Sequence, residues 1–288
     1  MPPPPETARL RRSQAVLTVL IVALTLATSL IGLVTQVPYA QETADWATQA
    51  RGQDVGNLIA AAALAVAAVG AWRGSLRARG VWAGCLLYLV YAFAVYAVAV
   101  HFGPLFLPYV AVLGLSAYAL LFGLVPAPGA VLVASGARRW GAWTLIAVAV
   151  MFALLWLAEI VPALARGVMP AGLVSAGLAS NPVWVLDLAL VLPGMAITGL
   201  GALRQRPASL LLLAPWLTFT ALMGASIVAA LLLAAVAAGP ALVPLVMVGL
   251  VTLASTGALV AVLSATRDAT PGRASGSRTP PAAAPIHR

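Results

Sequence analysis

Apolar residues along the chain fall into eight runs, at 15–34, 55–72, 81–101, 105–125, 142–163, 182–202, 209–236 and 241–264. A helix rises about 1.5 Å per residue and a hydrocarbon core is about 30 Å thick, so each run is long enough, or nearly so, to cross a bilayer. Gly103-Pro104 and Gly239-Pro240 split the longest stretches into separate spans joined by tight turns. The pattern predicts an all-α, polytopic transmembrane helix bundle of about eight spans within residues 15–265, with no soluble domain. The first run follows Arg9, Arg11 and Arg12 as a signal peptide would, but it is too long for a typical signal core and is expected to stay as an uncleaved helix. Residues 1–14 and 266–288, rich in Pro, Ser and Ala without apolar periodicity, are expected to be disordered tails.

The polar positions between the runs set an orientation. Counted on alternate loops, one side carries fourteen arginines, from Arg9, Arg11 and Arg12 through Arg73, Arg77, Arg79, Arg138, Arg139, Arg204 and Arg206 to the C-terminal tail, and the other carries only Arg51 and Arg166. By the positive-inside rule both termini are cytoplasmic, in a bacterial inner membrane. Adding or removing a span midway would scramble this alternation, so the charges also check the helix count.

Composition agrees: 62% of residues are hydrophobic and 8% charged, against about 25% charged in soluble domains. The net charge of +9 comes from small arginine groups between apolar runs, which speaks for topology signals and against a nucleic-acid partner. The bilayer is the implied partner, with a small molecule, ion or lipid as a further ligand; the oligomeric state is left open. The one cysteine, Cys85, lies inside an apolar run, which rules out an intrachain disulfide and a cysteine-based metal site.

Seven acidic residues remain. Glu6 and Asp268 fall in the tails, Glu42 and Asp45 in the first outer loop, and Asp54, Glu159 and Asp187 at the outer ends of the second, fifth and sixth spans. Asp187 stands five residues beyond Pro182, about 7 to 8 Å down its helix. An ionised group at mid-bilayer costs about 2.5–3.5 kcal/mol, so such a residue is expected to face the bundle interior or a wet cavity. With His101 at the end of the third span, these positions predict an outward-facing polar pocket of Arg51, Asp54, His101, Glu159 and Asp187. Simpler roles stand beside this one. Asn181 before Pro182 suits a helix cap, Asp54 can cap the second span, His101 can sit at the interface, and Glu159 can reach the headgroups.

Pro193 removes a backbone hydrogen bond close to Asp187 and frees the carbonyl of Ala189; Pro162 and Pro215 also fall in or near apolar helices. Tyr88, Tyr91 and Tyr96 form a broad stripe on the third span, suited to interhelical hydrogen bonds or to a flat ligand. Trp82, Trp140, Trp143 and Trp216 read as an aromatic belt near the inner ends, and Gly224, Ala225, Ser226 and Ala229 as close helix contacts. No Walker loop, dinucleotide fingerprint, HExxH or GxSxG motif is present, His101 is the single histidine of the spans, and no cofactor or metal is implied.

Three stretches, "ARGQDVGNL" at 50–58, "HFGPLFLPYVAVLGLSAYAL" at 101–120 and "NPVWVLDLALVLPG" at 181–194, resemble a group of bacterial polytopic membrane proteins carried as hypothetical proteins. The resemblance implies no activity; it places Arg51, Asp54 and Asp187 within its segments. Three functions remain open: a transporter or permease-like protein in which Asp187 and Glu159 hold a cation or proton and Arg51 an anionic group; an intramembrane enzyme acting on an outer-leaflet lipid or isoprenoid; and a non-catalytic assembly protein whose polar residues pair helices. Two four-helix halves related by a repeat, frequent in transporters, are not evident.

Overall fold

The computed structural model describes residues 5–123 and 130–269. It contains α1 (Pro5–Val34), a 3₁₀ turn (Val37–Tyr39), α2 (Ala44–Trp72), α3 (Leu76–Ala99), α4 (Phe106–Gly123), β1 (Ala130–Val133), α5 (Ser135–Arg166) and α6 (Ala171–Ala176). A π-helical turn (Asp187–Val191) joins α7 (Pro182–Leu186) to α8 (Leu192–Leu203), and α9 (Pro207–Ala238), α10 (Leu242–Ala265) and β2 (Thr266–Ala269) follow. Among the described residues eight helices, α7 and α8 counting as one, are long and apolar enough to cross a membrane. The chain thus has the predicted build of an all-α polytopic bundle and multi-pass membrane protein.

Helix ends differ most from the sequence reading. α2 starts eleven residues before the predicted 55, because Thr43 caps it, its hydroxyl accepting from Trp46 N at 3.2 Å, and polar residues fill its first turns without an apolar signal. Asp54 is therefore a mid-helix residue and not a cap. Asn181 does cap α7, its side chain accepting from Val183 N at 2.9 Å. Residues 5–14, expected as a tail, continue α1, as good helix formers after a first-turn proline allow. Residues 266–269 form β2, antiparallel to β1 with Val133 opposite Thr266. The rest of both expected tails, 1–4 and 270–288, lies outside the described residues.

Side chains tie the bundle at two ends. At one, Arg77 donates to Ser264 O and Thr266 O, Arg79 to Gly123 O, and the two strands pair. At the other, the Trp46 indole donates to Ala99 O at 2.8 Å and Ser175 to Asp45 at 3.0 Å. The arginine loops of the α2–α3 turn and the C-terminal ends of α4 and α10 thus meet at one end, as the alternation requires. Trp82 departs from its predicted belt position: it is buried against Gly123 and donates to Thr18 at 3.2 Å. Trp140 and Trp143 are exposed as a belt would have them.

The core centres on α3, 67% of whose most apolar stretch is buried, whereas for α10 the figure is 17%. Small residues let neighbours close on it. Gly84 of α3 lies against Thr218 of α9, Gly56 of α2 against Tyr88 and Ser226, and Gly52 against Ala230. The free Cys85 is buried here.

Candidate functional site

A cavity of about 420 Å³ opens within the bundle at the end away from the arginine loops, between α2, α3, α5, α7, α8, α9 and α10. Its walls are mainly apolar and aromatic, with Phe152, Trp156, Phe219, Met195 and Met223 among them. The polar groups are few: Asp187, Gln53, Tyr91, Thr220 and Ser226 deeper in, and Asp45, Thr48 and Gln49 on the first turns of α2 at its mouth. Apolar walls with a small number of placed polar groups are the usual build of a small-molecule pocket, and the volume falls in the usual range of about 300–1,000 Å³.

Asp187 enters this wall from the π-helical turn. Pro193 lacks the N–H that Ala189 O would receive, and the chain adjusts just before it: the Leu192 N–H bonds to Asp187 O, five residues back. The freed backbone near Asp187 expected from Pro193 is realised as this wider turn, a feature that often marks functional sites. The carboxylate is 8% exposed and accepts from the Trp156 indole N–H on Oδ2 at 2.8 Å, with the Tyr91 phenol beside it. Tyr91 packs edge-on against Phe219, their centroids 5.6 Å apart. No ion pair is recorded for Asp187 among the described residues.

Asp54 sits elsewhere, packed between α1, the 3₁₀ turn, α2 and α3 and 1% exposed. The Tyr39 phenol donates to Oδ2 at 2.7 Å, and the Tyr96 hydroxyl stands between Oδ1 at 3.0 Å and Ala50 O at 2.8 Å. Gly32 of α1 lies directly over this carboxylate. Burial and then the Asp54 charge push the Tyr39 phenol well above its ordinary range, so it remains a donor. Asp54 does not line the cavity; the Tyr96 ring does.

Of the five residues assembled from sequence, Asp187 alone lines the cavity. Arg51 lies near Asp54 on α2, its Nε buried without a hydrogen-bond partner. His101 is outside, just past α3, where its Nδ1 and backbone N lie 2.9 and 2.7 Å from Glu42 Oε1. Glu159 turns to α6 and accepts from Gly172 N at 3.0 Å, capping that short helix. One chamber shared by these groups is therefore not what the fold builds, because three of them are taken up in fixing loops and helix ends. Among the described residues, no three His, Cys, Asp or Glu side chains gather as a metal site would need.

Sequence reasoning missed Trp156 and Gln53. Trp156 carried a signal: a tryptophan well inside a predicted span, three residues before Glu159, is placed too deep for an interfacial belt. Gln53 lies in a helical turn the apolar pattern left out, and its amide donates to the Tyr88 hydroxyl at 2.5 Å. The tyrosine stripe divides, Tyr88 and Tyr96 bonding to α2 and Tyr91 facing the cavity. Comparisons with family models, with curated proteins and with solved structures find no match to this chain.

Proposed function

We propose that the chain is a transporter or permease-like protein whose intramembrane cavity binds a small organic cation with an apolar body. One observation carries the reading: a carboxylate held by Trp156, with no ion-pair partner among the described residues, stands in a wall made mainly of aromatic and aliphatic side chains. A cation supplies the missing counter-charge, and ring faces such as Phe219, Tyr91 and Trp156 favour an ammonium or iminium group at close range. Glu159 and Arg51 take no part in this version, being placed outside the cavity wall.

The orientation and setting belong to the same proposal. The arginine-rich end faces the cytoplasm of a bacterial cell, the protein sits in the inner membrane, and the cavity mouth at Asp45 and Gln49 faces outward. The resemblance to bacterial polytopic proteins supports that setting and leaves the ligand to chemistry.

Uptake of ethidium and of tetraethylammonium into proteoliposomes tests the reading. Asp187→Asn, which keeps the shape and an acceptor for Trp156 but removes the charge, is expected to lower uptake at least tenfold, while Glu159→Gln leaves it within twofold. Uptake unchanged by Asp187→Asn would overturn the assignment of Asp187 as the cation site.

A further inference from the structure

The seam between α5 and α10 is closed at one end only. Near the arginine loops Gly141 of α5 stands against Val262 of α10, and Gly257 of α10 against the Trp140 ring. The two helices run antiparallel, so the same pairing carried toward the other end would set Phe152, Leu155 and Trp156 against Val251, Val248 and Pro244. All six of these residues instead line the cavity. Leu155 is 46% exposed, Pro244 is exposed as well, and α10 is the least buried of the spans. In a bilayer this side of the bundle meets acyl chains rather than water. The aqueous mouth is different in kind, formed by Asp45, Thr48 and Gln49 of α2.

From this geometry we infer that the cavity is entered sideways from the bilayer through the α5–α10 seam, and that its ligand is a membrane-dissolved ammonium amphiphile. The inference rests on the cation reading above and extends it to the ligand's class and route. The apolar tail lies along Leu155, Val248 and Pro244, where it exchanges one apolar surrounding for another, and the ammonium reaches Asp187 among Trp156, Tyr91 and Phe219. An alkyl anion of the same length finds a carboxylate without a counter-charge and is rejected by it. The cationic head of a membrane-dissolved amine already lies at headgroup depth, the level of the end at which the cavity sits, so it travels a short path without crossing the hydrocarbon centre.

The test uses the full chain in phosphatidylcholine vesicles and three brominated probes that quench tryptophan: ω-bromoundecyl-trimethylammonium, ω-bromopropyl-trimethylammonium and ω-bromoundecanoate. The signal is the part of the quenching reversed by unbrominated undecyl-trimethylammonium, because exposed tryptophans such as Trp140 and Trp143 are also quenched non-specifically. The long ammonium is expected to give saturable, displaceable quenching that Asp187→Asn weakens at least tenfold, and the bromoundecanoate none. Leu155→Phe and Val248→Phe, singly and together, narrow the seam. They are expected to slow onset for the long ammonium at least tenfold and to slow it less for the short, water-borne one. Onset unchanged in both single variants and the double, or bromoundecanoate binding as tightly as the ammonium, would overturn the inference while leaving a cation site at Asp187. Absence of displaceable quenching by either ammonium would overturn the cation reading itself.

Discussion

Asp54 and Asp187 are both carboxylates buried inside membrane-spanning helices, and they differ in what surrounds them. Asp54 has phenolic hydroxyls from two separate elements on its two oxygens, lies under a glycine and does not line the cavity. Asp187 accepts from Trp156 with the Tyr91 phenol beside it, and stands on a widened helical turn that lines the cavity. The first arrangement spends its hydrogen-bonding capacity on holding α1, the 3₁₀ turn, α2 and α3 together. The second keeps some capacity toward a ligand. Burial of a carboxylate in a membrane protein thus does not by itself indicate a working site; the partners and the adjacent space decide.

The comparison breaks most easily on stability. Asp54→Ala removes the acceptor of the buried Tyr39 hydroxyl and leaves a hole beneath Gly32, at a cost of roughly 3 kcal/mol. Asp187→Ala loses the Trp156 bond and the Tyr91 contact beside an existing cavity, where the freed donors can meet water, and costs roughly 1 kcal/mol. Thermal unfolding of the two variants in detergent checks this, and equal losses would put both residues in the same class. The next effect is at the glycine. Gly32→Ala drives a methyl into the Asp54 carboxylate and the Tyr39 hydroxyl, forcing α1 away from α2, for a loss of roughly 2 kcal/mol. Gly172→Ala meets the far end of the long Glu159 side chain, which can swing aside, and is expected to cost under about 1 kcal/mol, read in the same melts.

Tyr39→Phe is smaller again, roughly 1 kcal/mol, with cation uptake unchanged within twofold. It also carries a pH signature. The folded Tyr39 phenol titrates above its unfolded value, so its contribution is complete below about pH 10 and is withdrawn as the pH rises further. The stability gap between the parent and Tyr39→Phe should therefore be constant through neutral pH and close in strongly alkaline solution. A gap that widened there would mean the phenol is not held as a donor.

How much of this was readable from the sequence follows the same division. Spans, their number and the alternation of arginine loops depend on length and hydropathy, which act one segment at a time, and the eight helices follow the eight apolar runs. Asp187 was legible because a charge five residues beyond the proline that starts a capped helix has no local role to fill. Asp54 was misplaced because capped polar turns extend α2 past the apolar pattern. Glu159 and His101 were gathered into one pocket on depth alone; depth does not fix which way a side chain faces, and Glu159 turned to the backbone N of Gly172 and His101 to the Glu42 carboxylate. Tyr39 and Trp156 come from distant parts of the chain, so no spacing along the sequence joins them to the carboxylates they serve.

The smallest stability effect is also the most discriminating. Trp156→Phe keeps an aromatic ring in the cavity wall, near Phe152 and Trp184, whose centroids lie 6.0 and 6.4 Å from that of Trp156, and removes the indole N–H from Asp187 Oδ2 together with part of the ring system, on the side of an existing cavity. Because the carboxylate borders a cavity that admits water or ligand, the loss of folding stability is expected to be roughly 0.5 kcal/mol. Without that donor the carboxylate is free to rotate, and a bound cation must order it. Uptake of the organic cation is then expected to fall several-fold, between the parent and Asp187→Asn. A positioning role predicts this split, with function reduced more than stability. If the melting temperature fell as far as for Asp54→Ala while uptake per folded molecule stayed intact, Trp156 and Asp187 would be a packing pair like Tyr39 and Asp54, and the distinction between the two carboxylates would not hold.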